Sequence, residues 1–398
     1  MNKKVFLFFV VLAVMLNWWG TAQAVDMEFV VVGDPCNAID TFIDPETGVA
    51  RGAVNYKYSM AKYEVSNAQY AEFLNAVAAS DPHKLWDYDE QFGFDTMGDP
   101  TYPMRGGITR SGSPGSYAYA AISGRENMPV LWVSWRSAAR FVNWMHNGQQ
   151  NDPITAEYGA YDTSTFYVDF PGSEYHYDQT HHDPNALYWL PTWDEWYKAA
   201  FYKGGGMDAG YWDYPVQCTG NQPPPAVWED PPMVGGPFNV PYAINYYADL
   251  FFPELDPPQF EGDLVDVNFY TIAASAYGTF QQGGNAAEWV EGWWPANPPI
   301  PDRYSRPWLG GAWYLYSAME NGRRGAHCSD PEFTNSWIGF RLAAPAPPEN
   351  CTEVQAYGYR LASDLDENCY INFGDFAIFA EEWLQCNDPT DANCLVNW

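Results

Sequence analysis

Three stretches of the chain carry apolar residues at helical spacing, and each begins on a capping residue. After Ser66, the residues Tyr70, Phe73, Leu74 and Val77 fall on one face and predict a first helix. After Ser134, Ala138, Phe141, Val142 and Met145 form the buried stripe of a second, which Gly148 ends. The third starts at Thr192, where Thr192-Trp193-Asp194-Glu195 spells a capping box. There the threonine oxygen and the glutamate side chain each satisfy an orphan backbone N–H. Trp196, Ala199 and Ala200 face inward, and Gly204 is the expected stop. Residues 25–58 read as short strands and turns, with a strand over Met60 to Glu64. Residues 81–127, 149–185 and 205–277 lack clear periodicity and predict loops with short strands. Three later segments set glycine beside bulky side chains, which marks tight turns and close backbone approach. They are Gly283 to Trp289, Leu309 to Trp313 and Ile338 to Leu342. Ala343-Ala344-Pro345-Ala346-Pro347-Pro348 reads as a stiff linker before a tail.

In the tail, Asp364, Asp366, Asn368, Asn372 and Asp375 stand at positions 1, 3, 5, 9 and 12 of a loop, with the Tyr370 carbonyl at position 7. That is the spacing of an EF-hand calcium loop. Asp375 then leads an amphipathic helix, Phe376 to Leu384, with Phe376, Phe379, Ala380 and Trp383 on one face. The loop resembles that of dockerin modules, which implies calcium as cofactor and a cohesin-like partner. It departs from them in having Cys369 at the usual glycine position, and a single loop where dockerins carry two.

The start of the chain changes where this protein is expected to work. Lys3 and Lys4, the apolar run from Val5 to Leu16, and Ala22-Gln23-Ala24 read as a secretory signal (residues 1–24) cleaved before Val25. The run is shorter than the roughly 20 residues of a spanning helix. No later segment has membrane character, so the expected location is outside a bacterium or on its surface. The net charge of −31 excludes nucleic acid as a partner, because neutralising phosphates needs Lys and Arg. An aromatic content of 18%, with abundant Gly and Pro, suits an irregular α+β fold with an aromatic core. Of the seven cysteines, Cys351, Cys369, Cys386 and Cys394 crowd into the tail. Export permits disulfides there, with three possible pairings.

Several blocks occur in order: Lys62 to Tyr70, Pro129 to Trp135, Leu190-Pro191-Thr192 with Glu195-Trp196, Gly284-Asn285 with Glu288-Trp289, Gly310-Gly311-Ala312-Trp313, and Gly339-Phe340-Arg341. Together they resemble the sulfatase-modifying-factor family, founded on the formylglycine-generating enzyme, over about residues 55 to 344. The resemblance implies an irregular α+β domain, a variant of the C-type-lectin fold, low in regular structure. It also implies oxidation of a substrate cysteine by O₂, with copper(I) held by two cysteines, a soft pair that suits the ion. Counted from Gly310-Gly311, those two positions read Leu315 and Glu320. The copper site is therefore expected to be missing. Cys218 and Cys328 are the alternative pair, against a disulfide or two separate thiols. The resemblance further implies structural calcium on Asn285, Glu288 and Asn245, with turn-making hydrogen bonds as the alternative. It places Trp313, Arg323 and Arg324 near a substrate groove.

His176, Asp178, His181, His182 and Asp183 form a further cluster that reads either as a transition-metal site or as a solvated loop. Glu195 and Glu288 raise the idea of glycosidase carboxylates, though the capping box accounts for Glu195. The domain reading is a signal (1–24), a strand-and-turn lead-in (25–54), a main domain (55–344), a linker (345–350) and a calcium-binding tail (351–398). Three functions compete: a protein- or glycan-binding accessory protein without oxidase chemistry, an oxidase with a relocated site, and a structural surface-assembly protein.

Overall fold

The run Phe29-Val30-Val31-Val32 is rich in β-branched residues, which suit a pleated ladder. It forms β1 (Phe29–Val32), antiparallel to β2 (Tyr58–Ala61), with Phe29 opposite Ala61 and Val32 opposite Tyr58. These elements belong to a computed structural model, which describes residues 24–87, 97, 106–166, 178–217, 264–294, 305–313, 325–356 and 362–382. The expected signal segment, residues 1–24, lies outside them apart from Ala24. The strand expected over Met60–Glu64 begins two residues earlier and stops at Ala61. Because β1 is bonded to β2, the lead-in is part of the main unit's sheet rather than a prelude to it.

Helix α1 (Asn67–Val77) starts on Ser66, whose side chain accepts from the Gln69 N–H while the Gln69 side chain accepts from the Ser66 N–H. The sequence predicts Ser66 as the cap but not the reciprocal bond to the Gln69 side chain. A hairpin of β3 (Ile108–Ser111) and β4 (Ala118–Ala121) follows. Helix α2 (Trp135–His146) is capped by Ser134 and closes at Asn147, with Gly148 in the left-handed region at φ 74°. Helix α3 (Trp193–Phe201) carries the expected Thr192/Glu195 box. It ends before Gly204, because Tyr202 turns extended and bridges to Tyr211. Thr192→Ala removes the acceptor for the Glu195 N–H, so it should cost about 1 kcal/mol, read as a lower urea midpoint with an unchanged slope.

The second sheet contains β5 (Ala287–Trp289), β6 (Arg306–Leu309), β7 (Ala326–Ser329) and β8 (Ile338–Phe340), in the order β7-β6-β5-β8. β5 runs antiparallel to β6 and parallel to β8. β9 (Ala343–Pro345) pairs with the free edge of β2, so the first part of the expected linker is a strand. Pro345 is tolerated because it ends an edge strand, where a missing N–H costs little.

The main core lies where α1 and α2 meet the strands. Phe73 and Phe141 meet edge-on at 5.4 Å, Tyr70 stacks on Phe141 at 5.9 Å, and Phe340 closes on Phe141 at 5.3 Å. Trp135 and Trp289 are fully buried beside them, and each donates its indole N–H to a backbone carbonyl, of Val290 and Val133 respectively. Gly339 is required here: a Cβ on it would meet the Val130 carbonyl oxygen at 2.5 Å.

The chain divides into two compact units, residues 1–345 and 346–398. The second contains α4 (Cys351–Ala356) and α5 (Phe373–Glu382), with a disulfide between Cys351 and Cys369. α5 starts three residues ahead of the expected Phe376, so Asp375 lies in its first turn. Trp383, Leu384, Cys386 and Cys394 lie outside the described residues. Among the described residues, no helix is long and apolar enough to cross a membrane.

Candidate functional site

The main unit's interior holds a set of charged side chains beside β2, β5 and β8. Arg341, just past β8, is fully buried. Its Nε donates to Glu288 Oε2 at 2.6 Å and one terminal nitrogen to Oε1 at 2.7 Å, a two-pronged pair. The remaining donors reach the carbonyls of Phe280 at 2.7 Å and Ala61 at 3.0 Å. Trp196 of α3 adds a third bond to Glu288, at 2.6 Å. Asn285 takes the left-handed conformation at φ 59°, which asparagine tolerates in a tight turn. Its Nδ2 donates to Glu64 Oε2 at 2.9 Å, its Oδ1 accepts from the Val265 N–H at 3.1 Å, and Glu64 Oε1 accepts from the Ala286 N–H at 2.9 Å. Burial, then the charge of Glu288, pushes the Glu64 carboxyl up to about 8, with Arg341 opposing.

Asn285 and Glu288 thus meet at one turn, as expected, with their oxygens committed to protein donors. Glu288 is paired with Arg341 through both of its oxygens. Asn245 lies outside the described residues. Glu64 was quoted in the first sequence block without a role. A lone Glu at the end of a buried strand run, with an Arg behind a distant Gly-Phe, was the available signal. Trp313 is a core residue: it is buried and its indole N–H donates to the Ser336 carbonyl at 3.1 Å. Arg323 and Arg324, the other groove candidates, lie outside the described residues.

In the second unit the acidic loop folds on itself. Asp364, Asp366 and Asp375 bring carboxylate oxygens within 4.8 Å of one another, the one such group of three possible metal ligands among the described residues. Backbone N–H groups organise them. Asp375 accepts from Leu365 and Asn372, both at 2.7 Å, and Asp364 from Cys369 at 2.8 Å. Hydrogen bonds from Asn372, Leu365 and Asp366 hold the Asp375 carboxyl below its ordinary value. Asn368 and Asn372 face the same loop, with Asn368 Nδ2 on Asp366 at 2.8 Å and Asn372 Nδ2 on the Tyr370 carbonyl at 3.3 Å. Cys369 sits at φ 68°, the left-handed turn that glycine usually makes. Its disulfide to Cys351 pins the loop there and chooses among the open pairings. Hard oxygens without a basic partner among them are a donor set for a hard cation.

The cysteines of the main unit do not pair among the described residues. Cys328 lies on β7 opposite Pro307, half-buried and free, and burial pushes its thiol up. Cys36 is exposed and free. Cys218, Leu315 and Glu320 lie outside the described residues. A single protonated thiol is a poor match for copper(I), which favours paired thiolates.

The expected His/Asp cluster is taken apart by the fold. Asp178 pairs with Arg136 through two bonds, at 2.9 and 2.8 Å. Asp183 accepts from Asn185 within its own turn. His181 and His182 turn instead to Glu291, which the sequence reading did not name. His176 lies outside the described residues. Glu195 serves its cap, and accepts further from Trp189 at 3.1 Å and Tyr56 at 2.9 Å.

Residues 37–346 match the family model of the sulfatase-modifying factor enzyme 1-like domain. A formylglycine-generating enzyme of Thermomonospora curvata is 23% identical over 332 residues, covering 77% of this chain and 88% of that protein. Among solved structures, CarF aligns at a TM-score of 0.46 and 18% identity, over 81% of this chain and 99% of that one. Variable protein 1 of Treponema denticola aligns at 0.44 and 19%, over 82% and 98%. PvdO from Pseudomonas aeruginosa aligns at 0.40 and 15%, over 81% and 93%.

Proposed function

Given that the chain belongs to the sulfatase-modifying factor enzyme 1-like domain family, we propose that it is an exported binding or accessory protein of that family without paired-thiolate oxidase chemistry. The observation that carries this reading is the cysteine pattern. The two positions expected to hold copper read Leu315 and Glu320, and no cysteine stands between Cys218 and Cys328. Cys328 supplies one thiol, held protonated by burial. The main domain, read as a variant C-type-lectin fold, presents a protein or glycan ligand site. The tail binds calcium through Asp364, Asp366, Asn368, the Tyr370 carbonyl, Asn372 and Asp375, and docks to a cohesin-like partner. The converging carboxylates support the calcium reading, because their repulsion is relieved by a divalent cation.

The test is a peptide-oxidation assay on the purified full chain loaded with copper(I), using a cysteine peptide of sulfatase type and following aldehyde formation by mass spectrometry. No aldehyde above the copper-only control is expected. Turnover that disappears in Cys328→Ser would replace this reading with an oxidase using Cys218 and Cys328.

A further inference from the structure

Glu291 lies two residues past β5, and its side chain is wholly shielded from solvent. Its Oε1 is well supplied. The Tyr161 hydroxyl donates to it, the His182 backbone N–H does so at 2.9 Å, and His182 Nδ1 lies 2.9 Å away. Oε2 makes no well-formed hydrogen bond, and His181 Nδ1 stands 3.5 Å from it. His181 is 65% exposed, so its proton exchanges with water while the carboxylate it faces is dry.

The neighbouring charged groups do not replace His181. Arg306, at the start of β6, is buried between Trp135 and Trp293, at 3.6 and 3.8 Å from the ring centres. Its terminal nitrogens donate to the carbonyls of Gln179 at 2.7 Å, Gly292 at 3.1 Å and Thr180 at 3.4 Å, while its buried Nε has no hydrogen-bond partner. Glu195, on α3, adds negative charge, and Tyr56 donates to it. Tyr161 is buried and keeps its proton well above the ordinary value, so it acts as a neutral donor. His182 stacks on Trp189 at 4.4 Å, which fixes its ring against Oε1. Asp178 is matched by Arg136.

We propose that His181 is a proton-operated clasp on Glu291. Protonated, it supplies the counter-charge to Oε2 and holds the turn of residues 181–187 against the end of β5. Deprotonated, it leaves Oε2 without the counter-charge facing it, and the turn loosens. Arg306 and Trp293 anchor Gln179 and Thr180 independently, so the effect begins at His181. Interaction with Glu291 raises the His181 pKa above its ordinary value, burial opposes, and Arg306 opposes further. A histidine raised in the folded state contributes stability that is full below its unfolded value, near ~6.5, and is lost as pH rises through the folded value. Glu291 itself would be pushed up by burial, but the histidines and Tyr161 hold it below the ordinary range, so it stays charged throughout that window.

The test follows the histidine ring resonances of the full-length protein by NMR from pH 5 to 8.5, with the His181 signal assigned by its loss in His181→Gln. A midpoint above the ordinary histidine value is expected. The folding constant of the native protein should also fall more across that range than that of the variant. His181 is exposed, so the variant disturbs no packing. An ordinary or depressed midpoint, or identical pH dependence in the two proteins, overturns the clasp.

Discussion

Arg341→Met is expected to lower the stability of the main unit by about 3–5 kcal/mol, the range for breaking a buried ion pair on one side. The guanidinium is the counter-charge for Glu288 and also satisfies the Phe280 and Ala61 carbonyls. Methionine fills the space and supplies none of those donors. Glu288 would keep Trp196 alone, and Glu64 would lose the charge that draws its pKa down. Denaturant unfolding should therefore show a much lower midpoint with little change in slope. Replacing both partners, Arg341→Met with Glu288→Leu, should recover a good part of the loss, since the uncompensated charge goes with the second substitution. A cost below about 1 kcal/mol for the single variant would mean that the pair does not clamp the sheet.

The same site fixes the sign of a pH effect. Glu64 has a raised pKa in the folded state, so the fold holds an extra proton between the unfolded carboxyl range, near ~4.3, and about 8. Stability contributed by Glu64 is full below that window and falls as pH rises through it. In Arg341→Met the fall should extend to higher pH, because the charge opposing the shift is gone. Melting temperatures at pH 5, 7 and 9 would check this.

Asp375→Asn is expected to weaken calcium binding by the full chain on the order of 100-fold, because affinity at such loops follows carboxylate charge and ligand placement. Asp375 is the closing residue of the loop. It receives the Leu365 and Asn372 N–H groups, so it also sets where the other oxygens stand. Asparagine keeps one acceptor and loses the charge. Calorimetry should show the weaker binding, and far-UV circular dichroism should show a calcium response in the native protein that the variant needs far more calcium to reach. Equal affinity in the two proteins would remove this loop from the calcium reading. Chelation of the native protein should mimic the variant.

How much could be read in advance varies by element. Helices α1, α2 and α3 were legible because Ser66, Ser134 and Thr192 stand directly before apolar residues at helical spacing. The ends were less so. Tyr202 leaves the helix to pair with Tyr211, a partner that periodicity cannot reveal. Ala343-Ala344-Pro345 looked like linker because its composition is that of one. It is a strand because β2 presents an unpaired edge there. The oxygen spacing of the acidic loop was legible, since its Asp and Asn residues are close in sequence. The two readings of the His/Asp cluster could not be separated in advance for the converse reason: Asp178 and His181, neighbours in sequence, are drawn to the distant Arg136 and Glu291.

The amino-acid sequence by itself determined the caps, the glycine turns, the order of the family's blocks, the absence of a cysteine pair at the expected spacing and the oxygen pattern of the tail. All of these depend on residues a few positions apart, where backbone geometry alone places the side chains. Tertiary structure decided the rest: that Arg341 neutralises Glu288 across 53 positions, that Glu64 joins them from 221 positions before Asn285, and that Glu291 gathers His182 from 109 positions away together with its neighbour His181. A buried charge takes whichever partner the packing brings within reach, and that choice is made only when the sheets and helices close around it.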